Sequence, residues 1–135
     1  MAVRAFLVED DNARAYWMTN IEAKNAHWER ASSKRQALRM LQEVLVRTRA
    51  AYDVVFLDFD LAGATGGGGE YVAAALLQMR YRGLVVVHST NVDAGPRLVQ
   101  MLHSGGIDVI YAPAYLSRDS PARWRMALEI AAKRR

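Results

Sequence analysis

Val54-Val55-Phe56-Leu57-Asp58 decides how this chain folds: an unbroken apolar run that stops on a carboxylate. Such a run, too short for a helix and without polar alternation, reads as a strand buried on both faces. Working outward, Val3–Val8 is a second apolar strand that ends in acid, at Glu9, Asp10 and Asp11. Leu84–His88 and Asp108–Tyr111 read as two more strands, and Ala26–Glu29 as a weaker one. Helical spacing fills the gaps. Asn12 to about Lys24 carries Tyr16, Trp17 and Ile21 as its apolar stripe, and Ser33-Lys34-Arg35-Gln36 reads as a capping box ahead of Leu38, Leu41, Val44 and Leu45. Glu70–Arg80 is a helix rich in Ala and Leu; Pro96 suits the first position of the next helix. Ser120-Pro121 supplies a cap and first-turn proline for the last. Strands that alternate with helices imply βαβ units, a parallel sheet and right-handed crossovers.

The remaining composition sets bounds. At 135 residues the chain is expected to be a single domain, 1–135, burying roughly two-thirds of the surface its unfolded form exposes. No stretch approaches the ~18 apolar residues of a membrane span, and the first residues meet acid too early for a signal peptide. With no cysteine, disulfides, thiolate chemistry and zinc–cysteine sites are excluded. A cytoplasmic protein is the expectation. The net charge of +4 is carried by the segment from Arg118 to Arg135, which holds six basic residues against two acidic ones. A solvated helix face explains that excess, so DNA binding is not indicated.

In an open α/β sheet, ligands bind beyond the carboxyl ends of the strands. Those ends carry Glu9, Asp10 and Asp11; Asp58 and Asp60; His88, Ser89, Thr90 and Asn91; and Ala112-Pro113. Carboxylates converging from two strands form a hard-oxygen site suited to Mg2+, which offsets their repulsion and leaves positions for phosphate oxygens.

These residues carry a resemblance. Phe6-Leu7-Val8-Glu9-Asp10-Asp11, Val54-Val55-Phe56-Leu57-Asp58 and Val85-Val86-Val87-His88-Ser89 resemble the receiver domain of bacterial response regulators, over nearly the whole chain, and Gly66 matches a glycine eight residues past the key aspartate. The resemblance implies a flavodoxin-like α/β fold, with a five-stranded parallel sheet in the order 2-1-3-4-5 and helices on both faces. It implies that Glu9 and Asp10 bind Mg2+, that Asp58 is the phospho-accepting position and that Ser89 is the switch hydroxyl. One departure stands out: the family's Lys-Pro pair is Ala112-Pro113 here, and no compensating Lys or Arg is evident. The lost ammonium is expected to cost several kcal/mol of transition-state stabilisation, by the usual scale of such groups. Leu57-Asp58-Phe59-Asp60-Leu61 with His88-Ser89-Thr90-Asn91 and Gly95 is similar to a divergent receiver branch that is thought to process cyclic phosphates and also tends to lack that lysine. That branch's N-terminal pair of acids and an arginine is matched loosely by Asp10, Asp11 and Arg14.

Each residue also has a plainer reading. Asp60 serves equally as a loop acid, and Asn91 as the residue that starts a turn. His88 continues an apolar run, so it reads as a core histidine or as a pocket base. Gly66-Gly67-Gly68-Gly69 lacks the Lys-Ser/Thr of a phosphate loop and reads as a flexible connection. Trp28 and Trp124 read as packing residues.

The leading functional expectation is a Mg2+-dependent pocket that hydrolyses a cyclic or terminal phosphate ester. In it Glu9, Asp10 and Asp58 hold the metal, His88 acts as general acid or base, and Ser89 and Asn91 bind phosphate oxygens. Its partner is a phosphate-bearing small molecule or an RNA end. The alternative is a single-domain response regulator or pseudo-receiver that signals through protein contacts.

Overall fold

The structure is a computed structural model that describes residues 2–21, 25–61, 67–115 and 119–134. Lys24, Gly66, Arg118 and Arg135, all used in the sequence reading, lie outside the described residues. The elements in chain order are β1 (Val3–Val8), α1 (Asn12–Thr19), β2 (Ala26–Ala31), α2 (Lys34–Leu45), β3 (Val54–Leu57), α3 (Gly69–Gln78), β4 (Leu84–Val87), α4 (Ala94–Ser104), β5 (Asp108–Tyr111) and α5 (Asp119–Lys133). The strands form one sheet in the order β2-β1-β3-β4-β5, and every pairing is parallel. This is the expected topology.

The central strands are apolar throughout because both of their faces are covered. Phe6, Val8, Val55, Leu57, Val85 and Val87 point to one side, against Met40 and Leu41 of α2, Val72 and Leu76 of α3, and Leu98 and Leu102 of α4. Ala5, Leu7, Val54, Phe56 and Val86 point to the other, against Ala15 and Met18 of α1 and Trp124, Ala127 and Leu128 of α5. Trp124 is fully buried, as a packing residue should be.

Several local expectations change. β2 runs two residues past Glu29, and pairs with the whole of β1 from Val3↔Ala26 to Val8↔Ala31. Its polar residues suit an edge strand: Glu29 takes ion pairs from Arg4 and Arg49 and a hydrogen bond from the Tyr52 hydroxyl. α1 stops at Thr19, where the Asn20 side chain donates to the Tyr16 carbonyl. Its buried residues are Ala15 and Met18, while Tyr16 is 73% exposed and Trp17 lies at the margin of the core. α2 likewise buries Ala37, Met40 and Leu41 and leaves Leu45 exposed. Half of its capping box forms: Ser33 Oγ accepts from Gln36 N, but Gln36 Oε1 accepts from Ser32 N. α4 starts two residues before Pro96, because the Asn91 side chain already accepts from Ala94 N. Proline is tolerated there, since first-turn N–H groups have no intrahelical partner. Ser120 lies inside α5 rather than capping it, and its hydroxyl donates to the Pro113 carbonyl at 2.7 Å.

Gly67–Gly69 has a defined conformation. Gly67 and Gly68 adopt φ of +103° and +115°, which side chains with a Cβ rarely reach. A Cβ on Gly69 would lie 2.2 Å from the Asp58 carbonyl oxygen. The start of α3 is therefore packed directly on the backbone of the candidate site. Asp60 belongs to this turn, where its Oδ1 accepts from Gly67 N.

Candidate functional site

Strand register assembles the site. Val8 pairs with Leu57, Leu57 with Val87, and Val87 with Tyr111. One residue further, the row is Glu9, Asp58, His88 and Ala112. The ladder holds there, with Asp58 N donating to Val8 O, His88 N to Leu57 O and Ala112 N to Val87 O. Alternation sends these side chains to the face of Leu7, Phe56 and Val86, beneath α1 and α5. Three neighbouring strands thus bring two carboxylates and an imidazole together below the rim of the sheet.

Glu9, Asp58 and His88 are all buried, and one ligand atom from each lies within 4.8 Å of the others. His88 Nε2 is 3.0 Å from Glu9 Oε1. The second Glu9 oxygen accepts from Asp11 N at 3.0 Å. Burial opposes ionisation of Glu9, but the hydrogen bond and charge of His88, the Asp11 N–H and Arg14 together carry its pKa well below the usual range. Ionised Glu9 accepts, so His88 Nε2 carries the proton. His88 Nδ1 is buried without a hydrogen-bond partner among the described residues.

Asp58 behaves oppositely. Burial raises its pKa from 3.8 to about 6, and repulsion from Glu9 adds to the rise, against the opposing pull of His88, the Phe59 N–H and Arg14. The Phe59 N–H bonds Asp58 Oδ1 at 2.8 Å. Asp10, half-buried beside Glu9, is also shifted upward by burial and by that neighbouring carboxylate.

The cation at the site comes from α1. Asp11 caps this helix by accepting from the Arg14 backbone N–H at 2.8 Å, which fixes where the helix begins. Arg14 Nη1 then lies 3.3 Å from Glu9 Oε1 and 3.6 Å from Asp58 Oδ2. In the sequence Arg14 stands out only as the loose match to an arginine of the divergent branch. Ala112, at the end of the row, is fully buried under Trp124, whose Nε1 donates to the Ala112 carbonyl.

Ser89 and Asn91 form no hydrogen bond with Glu9, Asp58 or His88 among the described residues. They organise the β4–α4 turn instead: Ser89 Oγ accepts from Asn91 N, and Asn91 Oδ1 accepts from Asp93 N and Ala94 N. Their acceptor atoms are engaged, and the Ser89 O–H and Asn91 amide N–H groups remain as donors.

The donor set fits a hard divalent cation. Glu9 and Asp58 supply carboxylate oxygens from adjacent strand ends and His88 a ring nitrogen; Asp10 neighbours Glu9 but stands outside this group.

No protein-family model and no curated protein matches this sequence. Solved structures do. The receiver domain of a Francisella response regulator superposes with a TM-score of 0.68 at 20% identity, covering 98% of each chain. The receiver domain of a Vibrio parahaemolyticus protein described as a LuxO repressor gives 0.68 at 19% identity, covering 99% of this chain and 95% of that one. The Mn2+-bound form of the response regulator Rcp1 gives 0.65 at 17% identity, covering 96% and 92%. Likeness at this identity speaks to architecture, and with the observed strand order it shows that the chain has the flavodoxin-like receiver fold.

Proposed function

We propose that this receiver-like chain binds Mg2+ at Glu9, Asp10 and Asp58 and hydrolyses a cyclic or terminal phosphate ester there. The observation that carries the reading is the buried row of Glu9, Asp58 and His88 with Arg14 spanning both carboxylates. A bound Mg2+ supplies charge neutralisation for the phosphoryl oxygens and a more acidic coordinated water. The chain's own residues do the rest. Arg14 offers a guanidinium to the phosphate oxygens, in the role left open by Ala112. Glu9 fixes the His88 ring through Nε2, the nitrogen that faces the acidic row, and His88 serves there as general acid or base. The Ser89 O–H and Asn91 amide N–H groups are the free donors for equatorial oxygens.

The experiment is a panel of 2′,3′-cyclic and terminal phosphate esters assayed with Mg2+. Turnover is expected in the unmodified protein, none in Asp58→Asn, and a loss of roughly 10²–10⁴-fold in His88→Ala, the usual worth of a general acid–base group.

A second reading is favoured by the likeness to receiver domains along almost the whole chain. In it the Asp58 carboxylate attacks the phosphorus of a donor, the bond to the leaving group breaks, and the resulting acyl phosphate is read by a protein partner. Stable labelling of Asp58 by acetyl phosphate, with no ester turnover, selects this reading. Absence of both activities overturns both.

A further inference from the structure

A cleft of about 320 Å³ opens beside the acidic row, lined by Asp11, Ala13, Arg14, Trp17 and Ala114. Its volume is at the lower end of the ~300–1,000 Å³ typical of small-molecule sites. Arg14 belongs to both places: it lines the cleft and its Nη1 reaches Glu9 and Asp58. Trp17 follows Arg14 by three residues on α1, and so stands on the same side of the helix. Its indole is braced edge-to-face by Trp124, with ring centroids 4.9 Å apart and an interplanar angle of 71°. The floor is small and apolar. Ala114 is buried, and its N–H is tied to the His88 carbonyl at 2.9 Å. The cleft thus joins a guanidinium, shared with the phosphate pocket, to a braced aromatic ring.

We propose that this cleft receives the base of a nucleotide, with the ring against Trp17 and the phosphate on the Arg14 guanidinium. The proposal names a substrate class for the pocket and rests on the phosphate-handling reading. A flat ring stacks on tryptophan whatever its hydrogen-bonding edge, so the site selects for a base without selecting which one. A phosphate lacking a base reaches Arg14 but leaves the cleft empty.

Calorimetric titration with Mg2+ present tests this, in the His88→Ala background so that the two esters are not turned over, using adenosine 5′-monophosphate, ribose 5-phosphate, inorganic phosphate and adenosine as probes. Adenosine 5′-monophosphate is expected to bind at least about tenfold more tightly than ribose 5-phosphate, the usual worth of a base stack. Trp17→Ala should erase that preference and leave the affinity for inorganic phosphate unchanged. Because Trp17 also packs on Trp124, Ala13→Leu provides a second test: it fills the cleft from an exposed helix position and should erase the preference too. Equal affinity for the two phosphates, or a preference that survives both substitutions, overturns the cleft assignment while phosphate binding stands. If neither inorganic phosphate nor ribose 5-phosphate binds, the phosphate-handling reading fails. Trp17-dependent binding of adenosine would then still support the cleft, and its absence would overturn the cleft as well.

Discussion

Replacing Asp58 by asparagine should stabilise the metal-free protein at pH 7.5 by about 3 kcal/mol. Burial and the nearby Glu9 charge raise the Asp58 pKa from 3.8 to about 6, so its ionised form is held in the fold against a penalty. Asparagine resembles the protonated acid in shape and can still accept the Phe59 N–H. The sign follows from linkage. Between pH 4 and 6 the folded state binds the proton that the unfolded chain has released, so this group lowers stability as pH rises through that window. The advantage of Asp58→Asn should therefore be negligible below pH 4, grow between pH 4 and 6, and level off above. For a chain of 135 residues it amounts to a rise in Tm of roughly 10 °C. Thermal melts of both proteins across pH, with a chelator present, test this. Equal Tm values at pH 7.5 would show that Asp58 is not ionised at a cost.

Gly69→Ala should have an effect of similar size and opposite sign. The new Cβ would meet the Asp58 carbonyl oxygen at 2.2 Å and the Phe59 Cα at 2.7 Å, and both are backbone atoms that no rotamer change can move. Either the first turn of α3 lifts or the end of β3 shifts, at an overpacking cost of about 3 kcal/mol. The second response displaces Asp58, so cation binding should weaken along with stability. Gly106→Ala is the control. It stands in open space at φ +86°, and should cost about 1 kcal/mol for the left-handed backbone while leaving cation binding intact. Denaturant unfolding and a cation titration of the two variants separate these outcomes.

These two sites show how far the sequence could be read. β1, β3 and β5 kept their expected bounds because each is a short run set off by polar or turn residues. β2 is weak in the sequence because His27, Glu29 and Arg30 interrupt its apolar residues, and its full length follows from pairing with β1 at the sheet edge. The expected stripe of α1 holds in part: Trp17 and Ile21 pack at the margin of the core, while the sheet takes the smaller Ala15 and Met18 at its centre and leaves Tyr16 outside. Glu9 and Asp58 were legible as strand-end acids. His88 is legible only as a choice between core and pocket, since alternation allows either, and strand register sets it against Glu9. It is fully buried, and it bonds Glu9. Arg14 is hidden more deeply, because its reach to both carboxylates is a tertiary contact between α1 and the strand ends. The close approach of Gly69 to Asp58 is likewise a tertiary contact with no signature in the spacing.

The central claim is that Asp58 and its acidic neighbours hold a divalent cation, and calorimetric titration with Mg2+ tests it most directly. The unmodified protein should bind one Mg2+ at pH 7.5. Affinity should weaken as pH falls through about 6, where the proton competes for Asp58. In Asp58→Asn and in Asp10→Ala the binding heat should disappear. Mg2+ binding of unchanged affinity in Asp58→Asn would contradict the claim.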